Sequence, residues 1–136
     1  MNSIIEIHDS TVAEISERDG TVIVHFLAAY LHKSEGRPAF DSGTGWAQEA
    51  RLIFSEASVS GDFPDWPCDI MGGEIIVDGE RHDNLIPVPL EITKLTELRL
   101  VCDDIHTVTV KGRRVRLELV GDPRYVEEVP HHKPAA

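Results

Sequence analysis

Arg114-Val115-Arg116-Leu117-Glu118-Leu119 alternates a charged side chain with an apolar one at every step. Successive side chains on a β-strand point to opposite faces, so this segment would bury one face and expose the other to water. The same alternation recurs along the chain and is interrupted by glycines and Asp-Gly pairs. The pattern predicts an antiparallel β domain, and by itself it indicates no reaction.

The N-terminal half contains the clearest predicted hairpin. Strands over Thr11–Glu17 and Thr21–Leu31 flank Asp19-Gly20, a pair typical of the tight type I′ turn. The second of these strands is apolar on both faces, which predicts a central strand covered on both sides. Trp46–Phe54 contains helix formers at helical spacing but also alternates, and we expect a strand there because its neighbours are strands.

The C-terminal half predicts further short strands. Pro87 and Pro89 within Leu85–Ile92 remove two backbone donors from one side, which is typical of an edge strand. Ile105–Val110 and Arg113–Val120 are expected to pair as a hairpin. Eight or nine short strands of this kind predict an all-β fold, an antiparallel two-layer β-sandwich or a flattened barrel. We expect one domain over residues 1–130 and a disordered C-terminal tail over 131–136.

Composition narrows the classes of partner. The 136 residues include 13 Lys and Arg against 24 Asp and Glu, a formal net charge of −11. Phosphate backbones and anionic membrane surfaces would be repelled, so we expect neither a nucleic acid nor a membrane partner. An acidic surface can steer a basic protein towards it, and the charge therefore favours such a partner.

Two further features concern the compartment. No apolar run approaches the ~20 residues that span a bilayer, and the segment after Met1 lacks the basic stretch of a secretory signal. Cys68 and Cys102 lack the CxxC spacing of a metal or redox motif. We therefore expect reduced cysteines and a cytoplasmic location.

Reactive residue types are present without the spacing that chemistry requires. The histidines of the domain show no HxH or HxxxH pattern, so we expect no metal and no cofactor, with His8-Asp9 as a ligand pair the alternative. His8-Asp9-Ser10 holds the residue types of a triad, but neighbours on one segment cannot place the base between the other two. Gly43-Thr44-Gly45 lacks the remaining residues of a phosphate-binding loop. We predict no catalytic residue.

The longest irregular stretch, from His32 to Gly45, is the best candidate for a binding site. Long loops on β scaffolds commonly carry binding residues, and aromatic side chains anchor contacts at low entropic cost. Alternatively, the flanking aromatic residues close the core and the charged residues are solvated. The candidate ligand- or partner-binding residues are Tyr30, His32, Lys33, Glu35, Asp41 and Trp46.

Several segments carry a resemblance to known proteins: His8-Asp9-Ser10, Asp19-Gly20, His32-Lys33-Ser34-Glu35-Gly36, Gly43-Thr44-Gly45-Trp46 and Leu117–Glu128. Together they resemble, over nearly the whole chain, a widespread family of uncharacterised bacterial single-domain β proteins, a domain of unknown function. The opening His-Asp followed by a hairpin is similar to some small immunity proteins of bacterial toxin systems. The first likeness implies a β domain without assigned catalytic residues, and the second implies a protein partner.

These observations predict a non-enzymatic cytoplasmic binding or interaction module, immunity-like, for a basic protein partner. The alternative is a small-ligand-binding domain or an enzyme whose site lies around residues 30–46. A polar loop packed away from any concavity would favour the first function. A deep pocket with converging His32, Asp41 or Trp46 would favour the second.

Overall fold

A computed structural model describes residues 1–130, and within that range it contains twelve β-strands and no helix. The described chain therefore offers no helix that could cross a membrane. The predicted tail, 131–136, lies outside the described residues. In chain order the strands are β1 (Asn2–Arg18), β2 (Thr21–Ser34), β3 (Gly43–Ser55), β4 (Ser58–Gly61), β5 (Cys68–Asp69), β6 (Gly72–Val77), β7 (Glu80–Asp83), β8 (Leu85–Val88), β9 (Glu91–Ile92), β10 (Thr96–Val101), β11 (Thr107–Gly112) and β12 (Arg114–Val129).

The strands form two antiparallel sheets, which confirms the predicted all-β class. The large sheet has the order β5-β1-β2-β3-β12-β9, with β8 also paired to β1. The small sheet has the order β4-β11-β10-β6-β7. Neither sheet closes on itself in the described chain, so the architecture is that of a sandwich rather than a barrel.

The core lies between the two sheets. Phe26, Leu52 and Phe54 of the large sheet are fully buried, and so are Ile75 and Leu98 of the small sheet. They belong to one continuous apolar cluster. Burying a side chain of this size stabilises the fold by roughly 1.5–3 kcal/mol, so the core face of each sheet is set by the alternation seen in the sequence.

Several local predictions of turns and strands are confirmed. Asp19 and Gly20 have φ angles of 51° and 79°, the positive values that a type I′ turn requires. The segment Trp46–Phe54 lies in β3, between β2 and β12. The strand predicted over Leu85–Ile92 is two strands: β8, which contains Pro87, pairs only with β1 and is an edge strand, whereas β9 pairs with β12 and Pro89 lies between them.

Two predictions about strand environment are wrong. Ile105–Val110 and Arg113–Val120 do not pair, because β11 belongs to the small sheet and β12 to the large one, and the chain changes sheets at residues 112–114. Strand β2 is central, but its second face is covered only at the C-terminal end of the strand, where His32 is buried, and Leu27 on the same face is 55% exposed. Alternation identifies a strand without naming its partner, and apolar residues on both faces do not guarantee a second covering layer.

A large bulge interrupts β1. Glu6 pairs with Tyr30 and Thr11 with Ala28, so residues 7–10 stand opposite Ala29 alone. Strands β2 and β12 carry register shifts against β3 at the same level. Bulges bend a strand and increase its twist. These bulges separate one end of the large sheet from the rest. We call this end, residues 2–6, 29–34, 43–48 and 124–129, the loop end.

Candidate binding site

The bulge of β1 is held by Ser10. Its buried hydroxyl donates to the Glu6 carbonyl at 2.7 Å and accepts the Tyr30 backbone N–H at 3.0 Å. The hydroxyl therefore stands where a direct ladder bond between β1 and β2 would otherwise form. As a result, His8 and Asp9 are exposed at the apex of the bulge, which we call the crest.

Asn84 orients the His8 ring on this crest. The Asn84 Oδ1 accepts the His8 backbone N–H at 2.8 Å, which leaves its amide nitrogen facing His8 Nδ1 at 2.6 Å. The amide N–H thus donates to Nδ1, and the proton of the neutral imidazole is assigned to Nε2. That Nε2 lies 3.2 Å from Asp9 Oδ2.

The charges of three carboxylates act on the Tyr30 hydroxyl. Burial raises the pKa of Tyr30 to about 12, helped by the negative charges of Glu127, Glu6 and Asp9. We call Glu6, Asp9, Tyr30 and Glu127 the acidic cluster. It brings together residues of β1, β2 and β12 and the apex of the β1 bulge.

Part of the acidic cluster could hold a cation. The ligand atoms of Glu6, His8 and Asp9 lie within 4.8 Å of one another. In the tautomer that Asn84 imposes, however, the His8 nitrogen facing Asp9 offers a proton instead of the lone pair that a metal ligand needs. The chemistry is better suited to an ammonium or guanidinium group held by carboxylates. The absence of a metal stays a prediction.

The Gly43-Thr44-Gly45 motif has a structural role. It lies within β3, where Gly45 faces the Tyr30 ring and Gly43 faces the His32 ring. A Cβ at Gly45 would fall inside contact distance of the Tyr30 hydroxyl, and one at Gly43 would meet the Lys33 carbonyl and His32 Nε2. The two glycines leave room for these rings on the outer face of the sheet, the face turned away from the core.

The loop over residues 35–42 folds back across the outer face. Its Ala39 N–H donates to His32 Nδ1 at 2.5 Å, and His32 is only 2% exposed. Burial lowers the pKa of His32, and its Nε2 has no hydrogen-bond partner among the described residues. The loop is closed by Asp41, whose Oδ2 accepts the Arg37 N–H at 2.6 Å.

A groove of about 600 Å³ runs between this loop, the start of β1 and β8. We call it the apolar groove. The Arg37 guanidinium stacks 4.0 Å from the centre of the Phe40 ring at its border. The lining residues are Met1, Asn2, Ser3, Ile4, Arg37, Pro38, Phe40, His82, Leu85, Pro87, Val88 and Pro89.

The apolar groove and the acidic cluster are neighbours. Leu85, which lines the groove, pairs across the strands with Glu6 of the cluster. Residues directly opposite in an antiparallel pair have their side chains on the same face, with Cβ atoms about 5 Å apart. A single extended ligand on the outer face can therefore contact both.

The structure separates the six residues predicted to bind. Tyr30 and His32 lie on the outer face. Lys33 and Trp46 lie on the core face, where the Lys33 ammonium is 4.8 Å from the Trp46 ring centre and Trp46 meets Tyr125 edge-on at 5.5 Å. Lys33 and Trp46 therefore lie on the opposite face of the sheet from Tyr30 and His32. The two pairs of residues cannot contact one ligand molecule from the same side.

The remaining two predicted residues, Glu35 and Asp41, border a separate opening of about 340 Å³ at the base of the loop. His32, Asp41 and Trp46 thus do not converge in one deep pocket. Sequence reasoning did not identify Glu6, Glu127 or Phe40. Within the candidate site, only the crest is marked by residues that are adjacent in the sequence, the His8-Asp9-Ser10 triplet. The other residues of the site come together only through contacts between strands that are distant in the chain.

The chain was compared with known protein families, curated proteins and solved structures. No protein-family model matches the chain, and no curated protein or solved structure matches it either.

Proposed function

We propose that this protein is a non-catalytic binding domain that recognises an extended segment of a basic protein partner on the outer face of the large sheet. One observation carries the proposal: the apolar groove and the acidic cluster adjoin at the Leu85–Glu6 pair. A segment with an apolar side chain in the groove and a Lys or Arg beside it would place its cation among Asp9, Glu127 and Glu6.

The magnitudes support such a two-part contact. Burying one large apolar side chain is worth roughly 1.5–3 kcal/mol, and a hydrogen bond to a charged group contributes about 1.5–3 kcal/mol. The net charge of −11 adds long-range attraction for a basic partner. Neither the groove nor the cluster alone would select an apolar-basic segment from other peptides.

Fluorescent hexapeptides provide the test. One probe alternates Leu with Arg, a second replaces Leu by Ser, and a third replaces Arg by Glu. Fluorescence polarisation should show binding of the first probe and at least tenfold weaker binding of the other two. Equal binding of the first two probes would mean that charge alone is recognised, and the proposed site would be rejected.

A matched pair of variants locates the site. Asp9→Asn combined with Glu127→Gln should weaken the Leu-Arg probe about tenfold, the effect of losing about 1.4 kcal/mol. Glu17→Gln combined with Asp19→Asn makes the same change in net charge at the exposed β1–β2 hairpin and should leave binding nearly unchanged. Equal losses in the two variants would assign the effect to overall charge.

A second candidate function has its own observation. Arg37 is the only Lys or Arg lining the apolar groove in the described chain, and its guanidinium is held over Phe40. An apolar small molecule with a carboxylate would fit that arrangement. Calorimetry with decanoate and decylamine separates the candidates: binding of decanoate that is lost in Arg37→Gln would favour the small ligand.

A further inference from the structure

Two free cysteines meet where the sheets come together. Cys68 lies in β5 of the large sheet, and Cys102 directly follows β10 of the small sheet. The Cys68 thiol donates to the Cys102 carbonyl oxygen at 3.4 Å. The two thiols are also close enough for each to shift the pKa of the other. Cys102 is buried and Cys68 is partly exposed, so a reagent reaches the pair through Cys68.

We propose that Cys68 and Cys102 are an oxidative modification site, which a low-molecular-weight disulfide converts to an intramolecular disulfide joining the two sheets. The Cys68 thiolate attacks the reagent and forms a mixed disulfide, releasing one reduced thiol. The Cys102 thiolate then attacks the Cys68 sulfur and displaces the second. The protein loses two electrons and two protons, and the reagent is reduced to two thiols.

The surroundings make this reaction slow at neutral pH. Burial, with the charges of Asp103 and Asp69, raises the pKa of Cys68. Burial, with Cys68 and Asp103 nearby, raises the pKa of Cys102 to about 11. Since the thiolate is the attacking form, the rate should rise steadily as the pH is raised from 7 towards 9.

The position of the pair gives the bond a consequence for the site. Strand β5 and the residue that follows it support the crest of β1, because the Ile70 N–H donates to the Ser10 carbonyl at 2.9 Å. The Thr11 hydroxyl also donates to Asp69 Oδ1 at 2.7 Å. A disulfide at Cys68 would link β5 covalently to the small sheet. The disulfide form should therefore resist thermal unfolding more than the dithiol form.

The test treats the folded full chain with oxidised glutathione and follows intact mass. The wild type should lose two hydrogen atoms and retain no glutathione, and its melting temperature should rise and return after reduction. Cys102→Ala should stop at a single glutathione adduct. Cys68→Ser, a change at a partly exposed position, should leave Cys102 unmodified.

Three outcomes would overturn the proposal. The wild type could retain a stable glutathione adduct. It could also stay reduced under conditions in which Cys102→Ala accepts a glutathione adduct. The wild type could also remain unmodified at pH 9. The first result would show that the two sulfurs do not reach each other in the folded protein. The other two would show that the pair is not a modification site for this reagent, whatever the stability of the variants.

Discussion

At the residue scale, the outer face keeps two titratable rings neutral. Burial and three nearby carboxylates raise the pKa of Tyr30 to about 12, and burial lowers the pKa of His32. Both shifts disfavour the ionised form of the ring. His32 must remain neutral for its Nδ1 to accept the Ala39 N–H, so the loop over residues 35–42 depends on this neutrality.

Tyrosinate absorbance tests the acidic cluster. The folded-state pKa of Tyr30, about 12, lies above its ordinary value of 10.0, so its contribution to stability is complete below pH 10 and is lost as the pH rises towards 12. Glu127→Gln should lower the pKa of Tyr30, and tyrosinate absorbance should therefore appear at a lower pH. Tyr30→Phe should leave only Tyr125, whose pKa is raised by its hydrogen bond to Glu128. A Tyr30 transition at pH 10 would contradict the cluster.

Ser10 is the residue on which the crest depends. Ser10→Ala would remove the hydroxyl that serves the Glu6 carbonyl and the Tyr30 N–H, leaving backbone groups without partners in a buried place. We expect a loss of about 2 kcal/mol in the free energy of unfolding, measured by urea denaturation. Ser16→Ala, on an exposed part of β1, is the control and should change stability little. Equal effects would mean that the bulge does not need the hydroxyl.

At the element scale, turns follow from adjacent residues and sheet membership does not. Asp19-Gly20 closes the β1–β2 hairpin because both residues take positive φ. The predicted pairing of β11 with β12 failed although their alternation is equally clear. Short connections commonly join paired strands, but this one carries the chain from one sheet to the other.

The β1–β2 turn offers a clean test of backbone conformation. Gly20→Ala places a Cβ at φ +79° and should cost about 1 kcal/mol of unfolding free energy. Gly72→Ala is matched, because a Cβ at either glycine meets no atom within 4 Å, while φ at Gly72 lies outside the left-handed region. Denaturation midpoints should therefore fall for Gly20→Ala only. Equal midpoints would contradict the type I′ assignment.

At the scale of the whole molecule, charge acts together with shape. The net charge of −11 is spread over the chain, whereas the acidic cluster concentrates three carboxylates beside an apolar groove. Overall charge accelerates the approach of a basic partner, and local contacts determine how long it stays bound. The two contributions should therefore appear in different rate constants.

Stopped-flow binding of the Leu-Arg probe separates these contributions. Raising ionic strength from 0.1 to 1 M shortens the screening length from about 10 Å to about 3 Å. The association rate should fall steeply, while the dissociation rate should respond mainly to Asp9→Asn with Glu127→Gln. An association rate that does not depend on salt would exclude electrostatic steering by this protein.

The sequence by itself determined the fold class, the β1–β2 turn, the strand over Trp46–Phe54 and the edge character of β8. Each depends on residues that are neighbours in the chain, where side-chain period and turn chemistry act directly. The sequence did not determine which candidate binding residues share a face: Tyr30 and His32 lie on the outer face, but Lys33 and Trp46 lie on the other, and their role in binding stays a prediction.

Only the tertiary structure decided what surrounds Tyr30. The charges of Glu127 from β12 and Glu6 from β1 act on its hydroxyl, and the ring fits because Gly45 of β3 leaves space for it. The bulge that presents Asp9 exists because Ser10 bonds across to β2. These contacts join strands that are far apart in the chain, and pairing register, which local alternation does not encode, brings them together.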